Sequence, residues 1–290
     1  MTDSDRVKSD GAARHANDIR LDDRVVVVTG ASRGLGRAMA LGLADAGALV
    51  VLASPEADLL QRVADEIAAR HGAGRALVVP TDITIRRDCE SLVERTIAAF
   101  GALHVLVNNA RRPHRGPGLP SSGNSLPFWR SDADIWQQTI NVNVNGTFLI
   151  SHVVAPHLIA QGWGRIIILT TSLATMQGRN NSPYGVTKAA LEAATLIWAQ
   201  DLDGTGVTVN SLLPGGACDS DPERPPHAGQ RLLPVDIMNP ALIWLASPLS
   251  DGKTGGRYVG KLWNPELAPD EAARRALEPP VLRRPDESPR

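Results

Sequence analysis

The sequence predicts an α/β protein: a doubly wound parallel sheet of about seven strands with helices on both faces. Three observations carry this expectation. Short runs rich in Val, Ile and Leu recur along the chain, they alternate with segments whose apolar residues fall three and four apart, and the first run leads through a glycine-rich turn into such a segment. Strands apolar on both faces belong between two helix layers, and repeating strand, helix, strand units pair in parallel.

The strands are expected, in order, at RVVVVT (24–29), ALVVLA (48–53), RALVVP (75–80), HVLV (104–107), RIIILT (165–170), VTVNSLL (207–213) and RYVG (257–260). Between them, LGRAMALGLADAG and PEADLLQRVADEIAAR carry the helical period. Residues 1–20 are polar and aperiodic and read as a flexible lead; residues 21–263 form the domain. Residues 264–290, which close with EPPVLRRPDESPR, read as a loosely packed tail around one short helix at 269–277. In such a sheet a ligand is expected at the carboxyl ends of the strands.

Composition narrows the function. A chain of 290 residues with 43% apolar residues can bury a substantial core. Thirty basic and thirty-one acidic side chains give no field that would draw nucleic acid or an anionic membrane, so small-molecule partners are expected. No apolar run approaches ~18 residues and the first residues lack an apolar leader core, which points to a cytoplasmic protein. Cys89 and Cys218 lack CxxC spacing and are expected as inert buried thiols. The histidines show no ligand pairing, with His152 and His157 five apart, so no metal is expected.

The glycine-rich turn is Thr29-Gly30-Ala31-Ser32-Arg33-Gly34-Leu35-Gly36. Glycines at 30, 34 and 36 allow a sharp turn and bring backbone N–H groups close to a diphosphate at a helix N-terminus, so the turn predicts a dinucleotide site. The second strand ends in Ala53-Ser54-Pro55, with Ser54 where an acid would meet a free ribose 2′-hydroxyl, and Arg33 lies within the turn. NADP(H) is therefore favoured and NAD(H) is the alternative. In the opposing reading Arg33 is solvated and Glu56 or Asp58 reaches the ribose.

One of only two tyrosines, Tyr184, precedes one of only four lysines, Lys188, by four positions on an expected helix. Chance would give roughly 0.03 such pairs in a chain of this composition. A phenol beside an ammonium is a tunable proton donor and acceptor.

TGASRGLG, NNA (108–110), VNVNGTF (142–148), YGVTK and LLPGG (212–216) occur here in the order found in the short-chain dehydrogenase/reductase family, which the chain resembles over about residues 21–260. The resemblance implies a Rossmann fold and hydride transfer between a dinucleotide and a small carbonyl or alcohol substrate. It implies Tyr184 as acid or base, Lys188 lowering the tyrosine pKa and bonding the nicotinamide ribose, and Asn143 bending a helix and holding a water. Asp82, followed by Ile83, would meet the adenine; Asn109 and Ala110 would border the adenosine ribose; Pro214 and Gly215 would line the nicotinamide. Homodimers or homotetramers through the helices carrying Asn143 and Tyr184 are implied as well.

Four departures stand out. The family's serine thirteen residues before the tyrosine is Thr171 here, with Ser172 next; Thr171 is preferred, because a one-residue slip turns a side chain to the other face. Arg111 replaces the glycine usual after NNA, a bulky cation expected either to reshape the backbone or to contact substrate. The stretch from Asn108 to Trp136 is longer than usual by about ten residues, making 111–131 a flap over a pocket or a surface loop at a subunit contact. The Pro-rich segment from Cys218 to Pro234 replaces substrate-covering helices and suggests an open pocket. The competing functions are a dinucleotide binder of weak activity, serving as sensor or assembly partner, and a methyltransferase, which Ser54 disfavours.

Overall fold

The computed structural model describes residues 18–112, 126–220 and 232–282. Seven parallel strands form the sheet: β1 (Val25–Thr29), β2 (Leu49–Ser54), β3 (Ala76–Pro80), β4 (Val105–Asn108), β5 (Gly164–Leu169), β6 (Val207–Leu213) and β7 (Arg257–Val259). Their spatial order is β3-β2-β1-β4-β5-β6-β7. Registers such as Val28↔Val107, Asn108↔Ile168 and Leu169↔Leu212 bring the carboxyl ends of the central strands to one edge. The order reverses between β1 and β4, so the crevice where a nucleotide is expected opens there.

Strand alternation divides the core into two layers. Val26 and Val28 of β1 face α1 (Gly34–Asp45), while Val25 and Val27 join the opposite cluster with α3 (Arg86–Phe100). The first layer continues through α2 (Ala57–His71). The second is built mainly by α5 (Thr147–Ala160) and α7 (Tyr184–Asp201), with α4 (Ala133–Ile140) leading into α5 and the one-turn α6 (Leu173–Met176) preceding α7. Between α4 and α5, residues Asn141–Gly146 form a π-helical stretch, a widened turn of the kind often found where a helix is shaped around a functional group.

After residue 263 the short helix expected at 269–277 is present, but it packs more firmly than a loose tail would. After α8 (Asn239–Ala246), helix α9 (Pro269–Ala276) buries Ala272, Ala273 and Ala276 in the same core as Trp244 and Trp263. Its small residues let the helix approach closely, and Leu277–Glu278 then pairs antiparallel with β7 as an eighth strand, β8. A two-residue strand lacks a readable alternation pattern, which is why the sequence points to a loose tail. The polar lead, residues 113–125 of the 111–131 insertion and residues 221–231 of the Pro-rich segment lie largely or wholly outside the described residues.

Candidate active site

The glycine turn joins β1 to α1 at the crevice. Gly30 and Gly34 have φ of +66° and +55°, and a Cβ on Gly36 would lie 2.0 Å from the Gly30 carbonyl oxygen. The turn closes this tightly only with glycine at 36. Arg33 caps α1 without a side-chain hydrogen bond and the first turn holds no acid, so its leading N–H groups suit an anion. Ser32 is buried beneath the turn, and partly buried Leu35 packs against the core.

Asn109 has a task the sequence reading does not assign. Its Nδ2 donates to the carbonyls of Thr29 (2.8 Å) and Gly30 (3.1 Å), while the N–H groups of Asn109 and Ala110 donate to Thr29 Oγ1. This side chain therefore clamps the turn to the end of β4. Asp82 and buried Ile83 follow β3; Asp82 Oδ1 accepts from the backbone and hydroxyl of Thr84. Pro214 and Gly215 follow β6, with the Pro214 carbonyl accepting from the Lys261 N–H. The Ser220 carbonyl lies 3.0 Å from where a Gly34 Cβ would stand, so the described start of the 218–234 segment crosses the turn, a more covered arrangement there than the open pocket expected from sequence.

At the end of β2, Ser54 is buried and its Oγ accepts from the Glu56 N–H at 3.3 Å. Glu56 then folds back: one carboxylate oxygen pairs with Arg33 and the other accepts from Ser32 Oγ. A carboxylate thus sits beside the arginine on which the NADP(H) expectation rests. Glu56 is one of the two acids of the opposing sequence reading; its pairing with Arg33 depends on how the chain turns after Pro55.

Tyr184 opens α7 and meets the end of β5. A hydrogen bond joins its side chain to that of Thr171, whereas Ser172 Oγ accepts from the Thr175 N–H and caps α6. Lys188 lies one turn on, fully enclosed, its Nζ 5.8 Å from the Tyr184 ring centroid and donating to the Leu169 carbonyl at 2.7 Å. Asn143, buried in the π-helical stretch, donates to Thr187 Oγ1 (3.2 Å) and accepts from the Arg112 N–H (2.7 Å). Tyr184, Lys188, Thr171 and Asn143 are thus gathered around the first turn of α7.

The electrostatics of the pair follow from its enclosure. Burial, with help from the Arg111 charge, pushes Lys188 down to about 7 despite Glu192 one turn away, so it gives up its proton more readily than an exposed lysine. Burial raises the Tyr184 pKa; Arg111 and the Thr171 hydrogen bond oppose that rise. The Arg111 guanidinium carbon lies 6.0 Å from the Tyr184 ring centroid. Sequence spacing brings Tyr184 and Lys188 together but says nothing of how completely the lysine is enclosed.

A buried polar network outside the sequence reading supports this corner. Arg257 of β7 donates from Nε to Glu192 at 3.1 Å, from Nη1 to Glu278 of β8 and from Nη2 to the Thr171 carbonyl at 2.9 Å. Glu192 also accepts from Ser211 Oγ at 3.1 Å. Residues 126–131, the described end of the insertion, bring Phe128 and Trp129 to a cavity of about 320 Å³ shared with Met176, Arg179 and Val186.

Comparisons with known proteins agree with this geometry. The family model described as short chain dehydrogenase matches residues 24–224. A (2S)-[(R)-hydroxy(phenyl)methyl]succinyl-CoA dehydrogenase subunit from Thauera aromatica is 35% identical over 195 residues, 67% of this chain and 73% of that protein. The 7alpha-hydroxysteroid dehydrogenase of Escherichia coli is 30% identical, covering 83% of this chain and 94% of that one. The crystal structure of a 3-ketoacyl-(acyl-carrier-protein) reductase from Brucella melitensis complexed with NADH superposes with a TM-score of 0.70 at 27% identity, over 81% of this chain and 96% of that chain.

Proposed function

The chain belongs to the short-chain dehydrogenase family and is an oxidoreductase acting on alcohol or carbonyl groups; from that premise we propose that it interconverts a small ketone or aldehyde and its alcohol, with Tyr184 as the acid or base. The observation that carries the reading is the hydrogen-bonded Tyr184 and Thr171 pair beside Lys188, at the strand-end edge that also holds the glycine turn. The turn would hold the diphosphate through α1's leading N–H groups, and Pro214 and Gly215 would flank the nicotinamide. The bound nicotinamide would supply or accept the hydride.

The protein's own contribution is to the oxygen. Thr171 and Tyr184 hydrogen-bond the carbonyl oxygen, and Tyr184 releases its proton as negative charge develops there. A phenol raised by burial suits the acid role, because it stays protonated until that charge appears. Lys188, held at the Leu169 carbonyl and pushed down to about 7 by burial, is suited to return a proton to the phenolate, and Asn143 fixes the helix on which this happens.

For the dinucleotide, NADP(H) remains the first reading and NAD(H) the second. Glu56 favours NAD(H), since its carboxylate would repel a 2′-phosphate and accept from a 2′-hydroxyl. The Arg33–Glu56 pair is largely exposed, however, and such pairs contribute only about 0–1 kcal/mol, so a dianionic phosphate can displace the carboxylate from Arg33. Exposed Phe148 on α5 and Val186 and Ile197 on α7 support self-association through those helices, which light scattering on the purified protein would test.

Turnover of a panel of ketones and aldehydes with reduced dinucleotide, read by nicotinamide absorbance, tests the central reading. The wild type is expected to turn over at least one substrate and Tyr184→Phe to lose at least ~100-fold. Tight dinucleotide binding with no turnover across the panel would favour a sensor or assembly protein instead.

A further inference from the structure

We propose that Arg111 anchors an anionic group on the substrate, so that the preferred substrates are carbonyl compounds bearing a carboxylate and their hydroxy-acid counterparts. The inference rests on the carbonyl-reduction reading above and narrows its substrate class.

Arg111 follows β4 at the mouth of the crevice and is held from both sides. The N–H of Ala110 donates to Thr29 Oγ1 at 3.1 Å, and that of Arg112 donates to Asn143 Oδ1 at 2.7 Å. The backbone at 111 is thus pinned to the glycine turn and to the π-helical stretch, and its side chain is directed by that anchorage towards Tyr184, 6.0 Å from the ring centroid. It is solvent-exposed, and among the described residues no carboxylate forms an ion pair with it. The acid nearest the catalytic group in sequence, Glu192, is already engaged by Arg257 and Ser211.

Two basic side chains therefore flank one phenol, and one of them offers a planar array of N–H donors that no carboxylate among the described residues engages. That array matches a carboxylate in two-point fashion, and such charge-assisted bonds are among the stronger contacts a ligand can make. A neutral ketone would leave it unused. An oxo acid would place its carboxylate on Arg111 and its carbonyl oxygen at Tyr184 and Thr171. The carbonyl carbon gains the hydride supplied by the reduced dinucleotide, the oxygen gains the Tyr184 proton, and the carboxylate is unchanged. Binding that carboxylate also offsets the Arg111 charge that opposes the rise in the Tyr184 pKa, leaving the phenol protonated as reduction requires.

The test separates binding from turnover by using protein saturated with oxidised dinucleotide, which cannot reduce a carbonyl. Calorimetry compares three matched pairs of acid and methyl ester: pyruvate, benzoylformate and levulinate against their esters. For at least one pair the acid is expected to bind at least ~10-fold tighter than the ester in the wild type. That ratio should fall close to one in Arg111→Gln and be partly kept in Arg111→Lys, which retains the charge but not the planar array. Ratios near one for all three pairs in the wild type, or a ratio unchanged in Arg111→Gln, overturn the proposal. Turnover of the esters with reduced dinucleotide is measured separately: its presence with no acid preference defeats only this inference, whereas dinucleotide binding without turnover of acid or ester defeats the carbonyl-reduction reading.

Discussion

The buried Arg257 network makes the most demanding prediction about how this site is held. Arg257 and Glu192 have side chains only 3% and 4% exposed, and they tie β7 to α7. Arg257 also reaches the Thr171 carbonyl and, through Glu278, the short β8. Removing one partner of a buried ion pair leaves an uncompensated charge and costs about 3–5 kcal/mol. Glu192→Gln should fall near the lower end, because Glu278 still faces Arg257 and is itself 40% exposed, where water softens the loss. Arg257→Leu should lie nearer the upper end: it leaves Glu192 the Ser211 hydroxyl as its hydrogen-bond partner, with the weakened Lys188 charge nearby, and frees the Thr171 carbonyl. At roughly 2–4 °C per kcal/mol for a domain of this size, Glu192→Gln should lower Tm by about 6–12 °C and Arg257→Leu by more. Differential scanning calorimetry of both variants and of the Glu192→Gln, Arg257→Leu double variant measures this. The double variant should be less destabilised than the sum of the singles, since neither charge is then left alone. Single-variant losses below about 1 kcal/mol, or strict additivity, would refute the assignment of the network as a buried coupled pair.

Three further outcomes are expected. Gly36→Ala should abolish measurable dinucleotide binding by fluorescence titration, because the added Cβ would stand 2.0 Å from the Gly30 carbonyl and 2.5 Å from Asn109 Nδ2 and the clamped turn must open to admit it. Glu56→Gln should raise the NADPH over NADH ratio of kcat/KM by roughly 3–10-fold, since it frees Arg33 and removes a charge that opposes the 2′-phosphate. Lys188→Met should stabilise the ligand-free protein on the order of a few kcal/mol at or below pH 7. The sign follows from the lysine binding its proton up to ~10.4 when unfolded but only to about 7 when folded. Between those values the unfolded state holds more protons, so wild-type stability rises with pH and the gap to Lys188→Met closes by about pH 10 in urea titrations.

The parts legible in the sequence are those written in short-range pattern. Seven apolar runs correspond to the seven parallel strands within a residue or so at each end, because a strand covered on both faces tolerates little but Val, Ile and Leu. The glycine turn was readable for a similar reason: Gly30 and Gly34 adopt left-handed backbone, and no side chain fits at 36. Tyr184 and Lys188 were readable as neighbours because four residues make one helical turn. What spacing could not convey was environment. Whether Lys188 is a cation depends on its complete enclosure under β5, and whether Arg33 is free depends on a carboxylate twenty-three residues away folding back after Pro55. The Arg257 bond to Thr171 spans eighty-six residues and leaves no local mark. These unforeseen contacts share one character, polar groups drawn together by the sheet rather than by the helix on which they sit. Each of them also bears on a charge that the chemistry uses. Arg111 belongs with them: as a bare substitution in a motif it reads as a bulky cation that either reshapes the backbone or meets substrate, but set between two pinned backbone amides and close to a phenol it becomes a placed charge. In this fold the apolar pattern builds the crevice, and the long-range polar contacts decide what the crevice can hold.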